Sequence, residues 1–124
     1  MRGPTFALVV LLGACTEGPS ARASETDLAA ARAAVVDVFT AVQANDCAAL
    51  RTLMPRIDSE AACAEEIGEW REHGLDRFEI LSVEQDGRDP SAFIVRTRLM
   101  QQGGRERQLM VRTLRDGDRW RVML

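Results

Sequence analysis

The chain has 124 residues, of which 46% are hydrophobic and 28% charged. This composition is typical of one globular domain and excludes collagen-like, coiled-coil and disordered chains. Sixteen basic residues, all of them arginine, stand against nineteen acidic residues, so the formal charge is -3. Because nucleic-acid-binding proteins usually have a basic excess, this balance argues against that class.

The amino-terminal residues predict export. One positive charge at Arg2 precedes an apolar run from Phe6 to Leu12. A membrane-spanning helix needs about 20 apolar residues, so a run this short indicates a cleaved signal peptide, which we place at residues 1–14.

The end of this signal, Leu12-Gly13-Ala14-Cys15, resembles the lipobox of bacterial lipoproteins. The resemblance implies that Cys15 receives a diacylglycerol thioether and anchors the mature protein in the cell envelope. In a Gram-negative source, Thr16 after the cysteine favours the outer membrane, facing the periplasm. The alternative is an ordinary signal peptide cleaved near Ala14 or beyond it, which leaves Cys15 as a free thiol.

Residues 15–24 follow as the lipidated cysteine and a small, polar tether. Nine extended residues reach about 30 Å, so the domain at residues 25–124 is expected close to the bilayer. Two further cysteines, Cys47 and Cys63, form an even pair in an exported chain and predict a disulfide. The alternative is two buried free cysteines, while a closed zinc site lacks ligands because His73 is the sole histidine.

Apolar residues at steps of three and four predict helices in the first half of the domain. The first runs from Ser24 to Ala44, the second from Cys47 to Met54, and the third from Asp58 or Ser59 to His73. The apolar period then changes to two, which predicts strands at Arg77–Gln85, Ala92–Met100, Arg105–Arg115 and Arg119–Leu124. Three amino-terminal helices followed by an antiparallel meander give an α+β domain, with the helices packed on one face of a curved four-stranded sheet.

Turn chemistry predicts the strand registers. A three-residue Gln102–Gly104 loop places Val95 beside Val111 and Thr97 beside Leu109, which keeps apolar residues on one face. A two-residue turn at Asp116-Gly117 would pair Thr113 with Trp120. The pattern does not assign an inward face to the first strand, because its apolar residues change phase along the strand. This change indicates a bulge or a strand covered on both sides.

The other face of this sheet collects arginines. The predicted outward positions are Arg96, Arg98, Arg112, Arg119 and Arg121. One interpretation is an ordinary solvated face, and the other is a cationic surface that contacts an acidic partner or lipid headgroups.

Several pieces of the domain together resemble the nuclear transport factor two-like superfamily, and more narrowly its small lipid-anchored, SnoaL-like bacterial members. They are the Val35-x-x-Val38-Phe39 helix, the Asn45-Asp46 break, Leu53-Met54-Pro55 and the closing Gly117–Val122 strand. The resemblance implies a cone, in which a curved sheet wraps against the helices and leaves a cavity at the wide end.

Enzymes and noncatalytic binding or dimerising domains share that fold, so the fold assigns no activity. The chain has no tyrosine to serve as a phenolic oxyanion donor. Glu79 and Glu84 are the candidate carboxylates for an isomerase or dehydratase, provided that one of them faces inward.

We therefore expect a noncatalytic, membrane-anchored domain, without a cofactor or metal, that binds a small apolar ligand or a partner protein. The alternatives are an isomerase or dehydratase-type enzyme and a structural or dimerising subunit of an envelope complex. The predicted ligand-binding residues are Phe39, Trp70, Thr97, Leu99, Thr113 and Trp120. A filled cone would favour interaction, and an open cone with a buried acid would favour catalysis.

Overall fold

A computed structural model describes Gly3 and residues 23–124. The predicted signal peptide, Cys15 and most of the tether lie outside the described residues. Three helices precede four strands in the order α1 (Glu25–Ala44), α2 (Cys47–Leu53), α3 (Glu60–Glu72), β1 (Leu75–Gln85), β2 (Ala92–Gln101), β3 (Glu106–Asp116) and β4 (Arg119–Met123). The predicted α+β class is confirmed, and the open antiparallel sheet is consistent with a cone-like arrangement. In residues 23–124, no helix is long and apolar enough to cross a bilayer.

Side-chain caps set the helix starts. Ser24, Asp46 and Ser59 each accept a hydrogen bond at 3.1 Å from the backbone amide three residues later. Such caps satisfy amide groups that have no partner inside the helix. The helix that ends at Glu72 is followed by Gly74 at φ +70, a left-handed conformation that favours glycine. The predicted helix boundaries agree with the structure to within about two residues.

A disulfide joins the amino-terminal ends of α2 and α3. The Cys47 and Cys63 sulfurs are bonded, with Cα atoms 5.9 Å apart, within the range that disulfides adopt. The predicted pairing is therefore confirmed. Closing a loop of this size stabilises a fold by about 3 kcal/mol in the chain-entropy model.

The sheet has the order β1-β2-β3-β4, and its central hairpin follows the prediction. Val95 pairs with Val111 and Thr97 with Leu109. The backbone amide of Gln101 donates to the Arg105 carbonyl at 2.8 Å, which closes the three-residue loop. Burial of Val95 and Val111 on the helix side fixes this register.

The predicted register of the last hairpin is wrong by two residues. Thr113 pairs with Val122 rather than Trp120, because the two-residue turn is Gly117-Asp118 and Asp116 belongs to β3. Gly117 takes φ +61 at the first central position, as in a type II′ turn. Since the shift is an even number of residues, each side chain keeps its predicted face, and Val122 is buried while Arg121 is exposed.

A bulge resolves the ambiguous phase of β1. Ile80 pairs with Thr97 and Ser82 with Arg96, so Leu81 is an extra residue in the strand. The helix-facing positions therefore change from Phe78 and Ile80 to Val83. The sequence pattern allowed either a bulge or a strand covered on both sides, and the structure has the bulge.

The core lies between the helices and one face of the sheet. It consists of side chains from α1, from the α2–α3 segment and from the three later strands; the most buried are Phe39, Phe93, Leu50, Met54, Leu99, Val35, Val38, Val42, Val95, Val111, Thr97 and Thr113. Trp120 packs against this core and Arg112 lies on the other face, as predicted. We call the two sides of the sheet the helix-facing side and the open side.

Candidate functional site

Four of the six predicted ligand-binding residues lie in the closed core. Phe39, Thr97 and Thr113 have no exposed surface, and Leu99 is 2% exposed. The principal clefts of the described residues lie elsewhere, and these four residues line none of them. Apolar side chains fill the place where the cone was expected to hold a ligand. A role for the four residues in binding stays a prediction.

The two tryptophans lie at different sites instead of forming one wall. Trp70 contacts Phe39 edge-on, with ring centroids 5.5 Å apart, and Trp120 contacts Phe93 at 5.3 Å. Each indole is partly buried, with one side on the core. Each also lines a different surface cleft.

The cleft beside Trp70 lies between α3 and β3. Its volume is about 280 Å³, and it is lined by Arg56, Glu66, Glu69, Trp70, His73, Arg107, Leu109, Met110 and Leu124. We call it the α3–β3 cleft. Glu66, Glu69 and Trp70 of α3 and the C-cap residue His73 are spaced by three, one and three positions, so one side of the helix presents them together. The strands contribute an apolar floor.

Charges of both signs surround this floor. Glu66 is the better buried acid, and its carboxylate lies 3.3 Å from the Arg56 guanidinium. Glu69 on the helix wall and Arg107 on the strand wall are both exposed. Among residues 23–124, neither has an ion-pair partner within 4.0 Å. The cleft thus has opposite charges on opposing walls that do not close on each other.

The cleft beside Trp120 is larger, at about 810 Å³, and charged side chains line it too, among them Asp37, Asp118 and Arg119. On its α1 wall Asp37 lies beside three alanines. The guanidinium of Arg51, a cation of its α2 wall, already donates to the carbonyls of Ile57 and Asp58 at 3.2 and 3.1 Å. We place the candidate site at Trp70, because its cleft combines the indole with the large apolar side chains of Leu109, Met110 and Leu124.

Neither candidate catalytic carboxylate faces inward. Glu79 pairs in register with Arg98 and Glu84 with Ile94, and both glutamates lie on the open side of the sheet. Their carboxylates contact arginines, Glu79 with Arg98 at 3.5 Å and Glu84 with Arg96 at 3.4 Å. The sequence left the face of both glutamates unassigned, and the β1 bulge at Leu81 places both of them outward.

Acidic partners also neutralise the arginines of the open side. Besides Arg96 and Arg98, Arg112 lies 3.5 Å from Asp86 and 3.7 Å from Asp89, and Arg121 contacts Asp116. Four of the five predicted outward arginines therefore have an acid beside them. The open side is a surface of paired charges, which favours the solvated-face interpretation over the cationic one.

Two aspartates near the open side are held in the ionised form. Hydrogen bonds from the Ser91 hydroxyl, at 2.6 Å, and from the Ser91 amide lower the pKa of Asp89 below its ordinary value, and Arg112 adds to this. The Arg121 guanidinium lowers the pKa of Asp116, first through its hydrogen bond and then through its charge. Asp89 thus binds Ser91 in its own turn and lies beside Arg112, and Asp116 binds Arg121.

Of the residues that line the α3–β3 cleft, the predicted ligand-binding set included Trp70 but not Glu69 or Arg107. The available signal was the helical spacing of Glu66, Glu69 and His73 around the tryptophan, which places charge along the border of the apolar stripe. Arg107 had no such signal, because only the strand pairing brings it opposite α3. In residues 23–124, no group of three or more histidine, cysteine, aspartate or glutamate side chains is arranged to hold a metal ion.

No protein-family model, curated protein or solved structure matches this chain.

Proposed function

We propose that the protein is a lipid-anchored lipoprotein of the bacterial cell envelope, and that its domain is a noncatalytic module that binds a small ligand or a partner protein. The anchor is the diacylglyceryl thioether at Cys15, and residues 16–24 connect it to α1. The domain is of the nuclear transport factor two-like kind that the sequence resembles. Its location is the outer membrane, facing the periplasm, if the source is Gram-negative.

The observation that carries this proposal is the disulfide between Cys47 and Cys63. Disulfides persist in exported proteins and are rare in the reducing cytosol. A cysteine pair placed to bond in the fold therefore agrees with a sequence that begins with a signal and a lipobox-like Leu-Gly-Ala-Cys. Two independent parts of the chain support one location.

The noncatalytic part of the proposal rests on the helix-facing side of the sheet. General acid–base catalysis needs a titratable group beside the substrate, commonly one whose pKa burial has shifted. Glu79 and Glu84, the two candidates for that role, instead form ion pairs on the open side. Packed side chains occupy the interior.

The test of the anchor is Cys15→Ser in the full chain, expressed in a Gram-negative host with a fatty-acid analogue. We expect the wild type to incorporate the analogue and to remain in the membrane fraction. The variant should incorporate none and leave that fraction, because one thioether-linked lipid group carries the attachment. Cys47→Ala with Cys63→Ala is the matched control, since it removes two cysteines but leaves the anchor. A wild-type protein that stays unlabelled would contradict the proposal.

A second candidate, a dimerising subunit of an envelope complex, is favoured by the exposed methionines. Met110 is 66% exposed and Met123 47% exposed. Exposed apolar groups of this size commonly mark interaction surfaces. Sedimentation of the Cys15→Ser chain tests it: a dimer that Met123→Glu dissociates supports pairing through this surface, and a concentration-independent monomer contradicts it.

A further inference from the structure

The α3–β3 cleft has the charge pattern of a site for a dipolar ligand. Its helix wall carries Glu69 and its strand wall carries Arg107, and neither forms an ion pair within residues 23–124. By contrast, Glu66 in the same cleft is already paired with Arg56. Two opposed charges that do not neutralise each other leave room for a molecule that carries both complementary charges.

The cleft also has large apolar side chains in its lining. Leu109 lies on its floor, and Trp70 presents the part of its indole that does not contact Phe39. An aromatic or branched aliphatic group can therefore pack there, with its charged groups at the two walls. The volume of about 280 Å³ is just below the range of about 300–1,000 Å³ that is usual for sites of drug-sized molecules. The cleft thus fits a small metabolite.

We propose that the α3–β3 cleft binds a small zwitterion with an apolar side chain, of the class of apolar α-amino acids. The ammonium group lies toward Glu69, the carboxylate toward Arg107, and the side chain between Trp70 and Leu109. This inference rests on the proposed function, because it names the ligand of the noncatalytic domain. Charge-assisted hydrogen bonds at both walls give the site its selectivity.

The experiment uses three probes that share one ring: L-phenylalanine, 2-phenylethylamine, which has only the cation, and 3-phenylpropionate, which has only the anion. The protein is the full chain with Cys15→Ser, and with Trp120→Phe so that Trp70 is its only tryptophan. Tryptophan emission reports binding. We expect a saturable change, with L-phenylalanine binding several-fold more tightly than either single-charge probe, because each of those probes lacks one of the two charge-assisted contacts.

Two variants assign the charges. Glu69→Gln should remove the advantage of L-phenylalanine over 3-phenylpropionate, and Arg107→Gln its advantage over 2-phenylethylamine. Glu72→Gln and Arg105→Gln are the matched controls, because they remove exposed charges from the same two segments but do not line the cleft. Since all four side chains are exposed, we expect unchanged urea unfolding midpoints.

Three results would overturn the ligand class. They are equal affinity for the three probes, equal effects of the cleft and control variants, and a response of Trp120 rather than Trp70 when Trp70→Phe is used as the reciprocal reporter. No binding of any probe, together with normal membrane retention of the wild type, would also overturn it and leave the anchored domain standing. Loss of retention with intact binding would instead reject the anchor.

Discussion

The helix-facing and open sides of the same four strands are built on opposite principles. On the helix-facing side, Val95, Val111 and Phe93 are at most 1% exposed. On the open side, the same strands carry Arg96, Arg98 and Arg112, each with an acid on a neighbouring strand or turn. One sheet therefore carries a core and a network of ion pairs separated only by the thickness of its backbone.

The difference shows that the two sides of the sheet contribute unequally to the stability of the fold. Removing apolar surface from water contributes about 25 cal/mol per Å², and it does so only on the side that the helices cover. Exposed ion pairs contribute little, typically below about 1 kcal/mol, because water and salt screen them. We therefore expect substitutions on the helix-facing side to change stability, and substitutions on the open side to change solubility and surface charge.

The largest contrast is expected between a core truncation and an open-side truncation. Phe39→Ala should lower the free energy of unfolding by about 3–5 kcal/mol, because it leaves a cavity among Trp70, Phe78 and the helices. Met110→Ala, at a residue 66% exposed, should change it by no more than about 0.5 kcal/mol. Urea titration followed by circular dichroism measures both. Similar costs for the two variants would break the comparison between the sides.

A smaller contrast lies within the helix-facing side, between its two buried threonines. The Thr113 hydroxyl donates to the Phe93 carbonyl at 3.4 Å, whereas the Thr97 hydroxyl has no partner. Thr113→Val should destabilise by about 1 kcal/mol, and Thr97→Val should be neutral or stabilise by about 1 kcal/mol, because it removes an unsatisfied buried hydroxyl. The same urea titrations measure both effects. A marked loss of stability in Thr97→Val would show that the Thr97 hydroxyl forms a hydrogen bond in the wild type.

The smallest effect belongs to the open side and depends on pH. Arg121 lowers the pKa of Asp116 in the folded state, so this pair stabilises the fold above the ordinary aspartate pKa of 3.8 and ceases to do so as pH falls through the lowered value. Unfolding free energy, measured between pH 7 and pH 2, should decline less steeply below about pH 4 in Arg121→Gln than in the wild type. Arg105→Gln is the control. Identical profiles for Arg121→Gln and the wild type would show that this pair does not contribute to the loss of stability in acid.

Local patterns predicted most of the fold. Ser24, Asp46 and Ser59 marked helix starts, and the change of apolar period marked β1. The β2–β3 register followed from keeping Val95 and Val111 on one face. The β3–β4 turn was misplaced because Asp116-Gly117 and Gly117-Asp118 are both acceptable two-residue turns with the same inward pattern. Apolar alternation cannot separate registers that differ by two residues.

The candidate site was predicted less well than the fold. Phe39 and Leu99 were expected to line a cavity, but the sequence pattern of a pocket wall and of a filled core is the same, and only packing distinguishes them. Glu69 and Arg107 were missed because they are far apart in the chain. The solvated-face and cationic interpretations of the arginines both stayed open, since the acids that neutralise Arg96 and Arg112 lie on other strands and turns.

The sequence by itself determined the elements, their order, the faces of the three later strands and the pairing of Cys47 with Cys63, because periodicity, caps and cysteine count act locally or by elimination. Tertiary structure decided the rest: the β1 bulge that turned Glu79 and Glu84 outward, the filling of the core and the placement of Glu69 and Arg107 in the lining of one cleft. These features depend on distances between segments remote in the chain, and such distances are set only when all the apolar faces are buried together.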